Sequence, residues 1–156
     1  MGVSVEFRPL ASKIDSEPNS GNPPMSTHFF DRQDTGNPMN GARINDAQEL
    51  RRALGDVRAR PPFFVELIGD NGFKLLLGVG MPEGCVQFSA ADGSPPYLMA
   101  IAPSADNREG EVEFLLGDTP SPVPRRYCLA YEDALDIAAT FVQTGQRKSH
   151  VRWEEI

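Results

Sequence analysis

Phe63-Phe64-Val65-Glu66-Leu67-Ile68-Gly69-Asp70-Asn71-Gly72-Phe73-Lys74-Leu75-Leu76-Leu77-Gly78-Val79 sets two apolar runs of strand length on either side of a turn. Asn-Gly tolerates the positive φ values that a tight turn demands, so the runs return on each other as an antiparallel pair. Pro61-Pro62 breaks the chain immediately upstream. The pair is expected at the centre of a sheet.

Downstream, Gly84–Phe88, Tyr97–Ile101 and Glu111–Leu116 read as three more strands, separated by Gly, Pro, Asp and Asn clusters. In Glu111-Val112-Glu113-Phe114 the alternation puts both carboxylates on one face and Val112 with Phe114 on the other, as a half-buried strand requires. Thr119-Pro120-Ser121-Pro122-Val123-Pro124 is too proline-rich for an internal strand and reads as a loop or edge crossing. Tyr127-Cys128-Leu129 follows as a short strand candidate.

Two helices are expected. Asn45-Asp46-Ala47-Gln48 offers an N-cap residue with Gln three positions on, a capping-box arrangement, and Leu50 and Leu54 give an apolar stripe before Gly55. That predicts a helix over about residues 46–54. Ala134, Leu135, Ala138, Phe141 and Val142 recur at helical spacing, with Glu132, Asp133 and Asp136 at the dipole's positive end and Gly145 as the C′ residue. The sequence then turns through Arg147 and Lys148 into a last strand, with Val151, Trp153 and Ile156 placed to pack and Arg152 and Glu154 pointing the other way. The fold class is therefore α+β: one antiparallel sheet of about five or six strands with two helices.

Residues 1–42, rich in Pro, Gly, Ser and Asn, read as a mobile N-terminal segment, and residues 43–156 as the folded domain. Met25 is a candidate initiator, and Ser26–Phe30 either forms a first strand or lies over the core. A length of 156 residues with 40% apolar composition suits one domain. No run approaches the roughly 18 apolar residues of a membrane span, and no export signal is visible, so a soluble cytoplasmic protein is expected. Cys85 and Cys128 are too few for a disulfide framework or a cysteine-based zinc site, and read as buried, reduced thiols.

The net charge of −7 is unevenly placed. Residues 1–60 and 125–156 are each balanced; between 61 and 124, Lys74 and Arg108 face nine carboxylates. Such a section repels nucleic-acid phosphates and attracts a basic partner. Nothing in the sequence carries a reaction. Gly78-Val79-Gly80 is followed by Met81-Pro82-Glu83-Gly84, the wrong glycine spacing for a nucleotide loop, and reads as a turn. His28 and His150 lack metal-ligand spacing, and no nucleophile signature accompanies them. No cofactor or metal is expected.

Tyr131-Glu132-Asp133-Ala134-Leu135-Asp136-Ile137-Ala138-Ala139-Thr140-Phe141-Val142-Gln143-Thr144-Gly145, followed by Val151-Arg152-Trp153-Glu154-Glu155, resembles the C-terminal signature of the Imm1 family of bacterial immunity proteins. That signature is a helix ending Phe-x-x-x-Gly, a polar turn, an aliphatic residue and Trp-Glu-Glu. The resemblance is clearest over residues 131–156, compatible over 45–130, and silent on 1–40. The proline expected after the helix is absent, with Lys148 and Ser149 in that turn. The resemblance implies a non-enzymatic protein that binds and inhibits a cognate toxin, with a nucleic-acid deaminase first and a nuclease second. A small ligand-binding or enzymatic domain is the alternative. A toxin that holds phosphates needs a basic surface, so the expected partner-binding residues are Asp106, Glu109, Glu111, Glu113 and Asp118 as a charged rim, with Glu83, Asp92 and Tyr97 as nearby anchors.

Overall fold

The computed structural model describes residues 25–103 and 108–156. In chain order these form β1 (Thr27–Phe30), β2 (Arg43–Ile44), α1 (Ala47–Leu54), β3 (Phe63–Gly69), β4 (Phe73–Val79), β5 (Glu83–Ala90), β6 (Leu98–Ile101), β7 (Glu111–Leu116), β8 (Thr119–Pro124), β9 (Leu129–Ala130), α2 (Tyr131–Thr144) and β10 (Arg152–Glu155). Most of residues 1–42 assigned to the N-terminal segment, including the start before Met25, lies outside the described residues.

The central hairpin forms as its turn predicts: β3 and β4 pair antiparallel from Phe63↔Val79 to Ile68↔Lys74. Gly72 takes φ +92 in the turn. The sheet runs β10-β6-β5-β4-β3-β1-β2, with the β7–β8 hairpin attached to β3 and β9 to β5. Ten strands thus replace the five or six expected, and one contact is parallel, Phe63↔Leu115 between β3 and β7. The extra strands are the two-residue bridge β2, the proline-rich β8, and two that the sequence offers only as candidates, β1 within Ser26–Phe30 and β9 at the end of Tyr127–Leu129.

The sheet also begins before residue 43. Ser26–Phe30 supplies β1, paired with β3 from Thr27↔Gly69 to Phe30↔Glu66. The loop after it is fastened around Asp31, whose side chain is 1% exposed. Its carboxylate accepts hydrogen bonds from the Arg60 guanidinium at 2.7 Å and from the backbone amides of Gln33 and Asp34, each at 3.2 Å. Asn40 holds the same turn, accepting from the Asp31 amide at 2.6 Å.

The capping box of α1 sits one residue later than its sequence suggested. Asp46 is the N-cap and accepts from the Glu49 amide at 2.8 Å, while the Glu49 carboxylate reaches back to the Asn45 amide at 2.8 Å. The first bond satisfies an otherwise unpaired helix donor, and the second ties down the residue before the cap. At the far end of the chain, Gly145 closes α2 in the left-handed region, φ 75, its amide donating to Phe141 O at 2.7 Å. Asn71 in the central turn donates to Gly145 O at 2.9 Å, tying hairpin to helix.

Both helices cover one face of the sheet. There Val65, Leu67, Leu75, Leu77, Val86 and Phe88 pack with Leu50, Leu54, Ala138 and Phe141. The opposite face holds a smaller core of Phe64, Cys85, Met99, Phe114, Val123 and Cys128, roofed by the β7–β8 hairpin. Phe114 is fully buried, and burying such a side chain stabilises by about 1.5–3 kcal/mol. Its ring fits because β4 carries a glycine: a Cβ on Gly78 would stand 3.1 Å from the ring and 2.5 Å from Cys85 Sγ. The Gly-x-Gly taken as a turn is therefore the end of β4 and its exit.

Asp31 makes a pH-dependent contribution. Burial opposes its charge, but the Arg60 hydrogen bond and charge and the two backbone amides outweigh it, holding the carboxyl below the ordinary range. A depressed folded-state pKa stabilises above the unfolded value, about 3.9, and that contribution is lost as pH falls through the folded value. Asp31→Asn is expected to cost about 3 kcal/mol at neutral pH in denaturant unfolding, with the gap from wild type narrowing below about pH 4. A gap independent of pH would contradict this assignment.

Candidate functional site

The β7–β8 hairpin turns through Gly117 and Asp118, with Leu116↔Thr119 as its last pair. Glu111, Glu113 and Asp118 are exposed, as is Glu109 just before the hairpin. Among the described residues none of the four has a salt bridge. Val112 and Phe114 pack beneath, as the alternation predicted.

The prolines of β8 mark an edge. Arg125 N donates to Gly110 O at 2.9 Å, so alternation of bonded and non-bonded pairs assigns Pro124, Pro122 and Pro120 to the non-bonded positions opposite Glu111, Glu113 and Leu115. At such positions the backbone N and C=O point away from β7. Proline removes the donor at each, so the outer edge offers acceptors and cannot template another strand. The hairpin tip is held by Gln33, whose Oε1 accepts from the Gly117 amide at 2.6 Å and whose Nε2 donates to Phe64 O at 2.8 Å.

That edge overlooks a trough. The hairpin roofs only part of the second sheet face, and between β8 and the exposed remainder lies a depression of about 430 Å³. Its floor is fixed by register: Glu66↔Leu76, Leu76↔Gln87, Gln87↔Met99 and Met99↔Glu154 place five side chains in one row across β3, β4, β5, β6 and β10. Phe64, Leu76, Gln87 and Met99 line the bottom, β8 forms one wall, and Tyr127 and Ile156 form part of the other. Leu116 (42% exposed) and Ile156 (57%) stand at its mouth. Ile156 was expected to pack with Trp153, but a period of two puts it on the side of Arg152 and Glu154; its amide donates to Tyr97 O at 3.0 Å.

Each end of the row is a compensated carboxylate. Glu66 meets Arg32 at 2.8 Å and Lys74 at 3.3 Å; burial opposes its ionisation, but these cations prevail and lower its pKa. Glu154 meets Arg126 at 2.7 Å and accepts from Tyr127 Oη at 2.7 Å.

The expected anchors are distributed differently from the rim. Glu83 is an internal hub, bound by Arg108 and, at 2.8 Å, by Arg125; Arg108 also donates to Cys128 O at 3.0 Å. Its side chain is 14% exposed, so it braces the base of the hairpin. Asp92 lies in the turn after β5 and accepts from the Ser94 amide at 2.9 Å and hydroxyl at 2.6 Å, which lower its pKa. Tyr97 Oη donates to Gly93 O at 2.5 Å in the same turn. That turn adjoins the Phe73↔Ala90 end of the sheet, whereas the hairpin adjoins Phe63↔Val79, so Asp92 and Tyr97 are not beside the four hairpin acids. Asp106 lies outside the described residues. The trough is not read from the sequence; its floor needs the registers of β3 to β6 together with the distant β10, and only the parity of each strand hints at it.

A second depression of about 410 Å³ lies between α2 and the β6–β10 edge, lined by Ile101, Leu129, Ile137, Val151 and, at its rim, Asp133 and His150. Among the described residues no group of three His, Cys, Asp or Glu is placed to hold a metal ion, and no helix is long and apolar enough to cross a membrane. Cys85 and Cys128 are buried thiols that form no disulfide; burial raises both pKa values, that of Cys128 to about 11 with the Glu83 charge adding to it.

The family model for Immunity protein Imm1 matches residues 40–155, the span that contains the sheet's core, the hairpin, α2 and the terminal Trp-Glu-Glu. The chain belongs to the Imm1 family. Comparison with curated proteins finds no match. In this Imm1 protein the signature residues are structural: Phe141 is fully buried, Gly145 caps α2, and Trp153 packs edge-on against Phe88 with ring centroids 6.3 Å apart. The first Glu of Trp-Glu-Glu, Glu154, closes the trough with Arg126 and Tyr127.

Burial, then the Glu154 hydrogen bond and charge, raise the Tyr127 pKa against the opposing pull of Arg126. Glu154→Gln is expected to bring the Tyr127 phenol down toward its ordinary value while burial keeps it above, in a near-ultraviolet titration assigned with Tyr127→Phe. An unchanged or higher Tyr127 titration would contradict the contact.

Proposed function

We propose that this Imm1 protein protects its producing cell by binding a cognate toxin that acts on nucleic acid, a deaminase in first place and a nuclease in second. It works stoichiometrically in the cytoplasm, covering the toxin's substrate surface or active site. The observation that carries the reading is the set of solvent-facing carboxylates Glu109, Glu111, Glu113 and Asp118, uncompensated among the described residues. A toxin that grips DNA or RNA must present cations where phosphates sit, and carboxylates on a rigid hairpin occupy the same positions. Asp106, three residues before Glu109, is kept as a rim contact on its sequence alone; Asp92 and Tyr97 supply a separate contact at the other end of the sheet. Glu83 contributes by holding Arg108 and Arg125 at the hairpin's base.

The test is co-expression with the toxin domain encoded beside this chain, followed by affinity measurement over a salt series. Wild type should restore growth and co-purify. Glu111→Lys combined with Glu113→Lys should cost at least about 2 kcal/mol of affinity and flatten the salt dependence, since losing one partner of a desolvated charge pair costs about 2–5 kcal/mol. Undiminished affinity with the same salt dependence would remove the hairpin from the interface.

A further inference from the structure

The hairpin's charge and the trough beside it are parts of one surface, and together they specify what docks there. We propose that the trough receives one large apolar side chain from a loop of the toxin, and that this residue is flanked by Arg or Lys; the inference rests on the toxin-binding reading above.

The apolar half of the argument comes from exposure. Among the described residues the large hydrophobics left exposed are Met81, Leu116 and Ile156, and two of these three stand at the mouth of the trough. Between them Leu76 and Met99 face upward from the floor and Phe64 closes the bottom. A volume of about 430 Å³ lies within the range of small recognition pockets and has room for an aromatic or long aliphatic side chain. Gln87 is the polar side chain of the floor; its Nε2 donates to Met99 Sδ at 3.6 Å, and its carbonyl oxygen can accept from a donor beside the apolar anchor. An apolar anchor surrounded by polar rim groups is the usual form of an interface hot spot.

The basic half comes from charge complementarity. The wall of the trough is the proline edge of β8, which turns acceptors outward at Pro120 and Pro122 and has no N–H to give. Asp118 lies two residues beyond Leu116, and Glu113 sits on β7 opposite Pro122. A strand adding to this edge would find no donors for its own carbonyls. Guanidinium or ammonium groups, which are donors only, match both the carbonyls and the carboxylates. The floor-row carboxylates Glu66 and Glu154 are satisfied by their own cations and draw nothing further. The surface therefore selects side chains from a basic loop.

The test uses the full chain and the toxin domain encoded beside it. Gln87→Trp fills the floor and Leu116→Asp makes the mouth polar; Met81→Gln is the distant control. Each variant is first checked by thermal melting for a wild-type fold. Both trough variants should weaken toxin binding about tenfold or more, with the control unchanged. In parallel, a photo-reactive phenylalanine analogue in place of Gln87 should cross-link to a toxin segment in which an apolar residue has Arg or Lys beside it. Wild-type affinity in both folded trough variants, or cross-linking to a segment without basic residues or to a second copy of this chain, would overturn the proposal. If those results accompany weakened binding by the Glu111 and Glu113 reversals, the toxin-binding reading survives; if wild type binds no toxin, both fall.

Discussion

Strand β3 has two edges and three neighbours. Strand β4 takes the whole of one edge, while β1 takes Glu66 to Gly69 of the other and β7 meets it at Phe63. Because β1 already occupies most of that edge, β7 joins at the end and its hairpin is carried over the sheet face instead of extending the sheet. The parallel contact is short, with Leu115 N donating to Pro62 O at 2.9 Å as its companion bond. Gly78 lets Phe114 lie close to β4, and Gln33 fixes the hairpin tip. One face is consequently sealed by helices, and the other is half roofed. The trough is the unroofed part.

The acidic residues divide by what surrounds them. Asp31, Glu66, Glu83 and Glu154 each have a guanidinium or ammonium partner, and these contacts join segments distant in sequence. Partly buried ion pairs of this kind pay a desolvation cost and add little net stability, but breaking one leaves a charge stranded. Their effect here is positional: Asp31 sets the loop that carries Gln33, Glu83 sets the hairpin base, and Glu154 sets the trough wall. Glu109, Glu111, Glu113 and Asp118 have no such partner among the described residues and lie on or just before the hairpin. Charge that is not needed to hold the fold is available to steer a basic partner.

Much of this was legible in the sequence where a single segment carries its own signal. Asn71-Gly72 announced the central hairpin, Phe141 and Gly145 announced α2 and its end, and the alternation in Glu111–Phe114 separated the exposed acids from the buried side chains. The helix and Trp-Glu-Glu ending also carried the family. What failed depends on partners far away. The bridge β2 has two residues and no period to read, and β9 overlaps its candidate only at Leu129. The prolines of β8 read as a loop or edge crossing, because their place in an edge strand follows only from the register with β7. Glu83 looked like a free anchor because its neutralising arginines lie 25 and 42 residues downstream. The trough floor needs the registers of five strands at once.

On the toxin-binding reading proposed above, the hairpin side of the sheet, and not its helical side, meets the toxin. Carboxylate labelling read by mass spectrometry, with and without the bound toxin domain, tests it most directly. Glu109, Glu111, Glu113 and Asp118 should lose reactivity in the complex while Glu132, Asp133 and Asp136 on α2 keep theirs. Protection confined to the α2 carboxylates, with the hairpin acids still reactive, would place the toxin on the helical side instead.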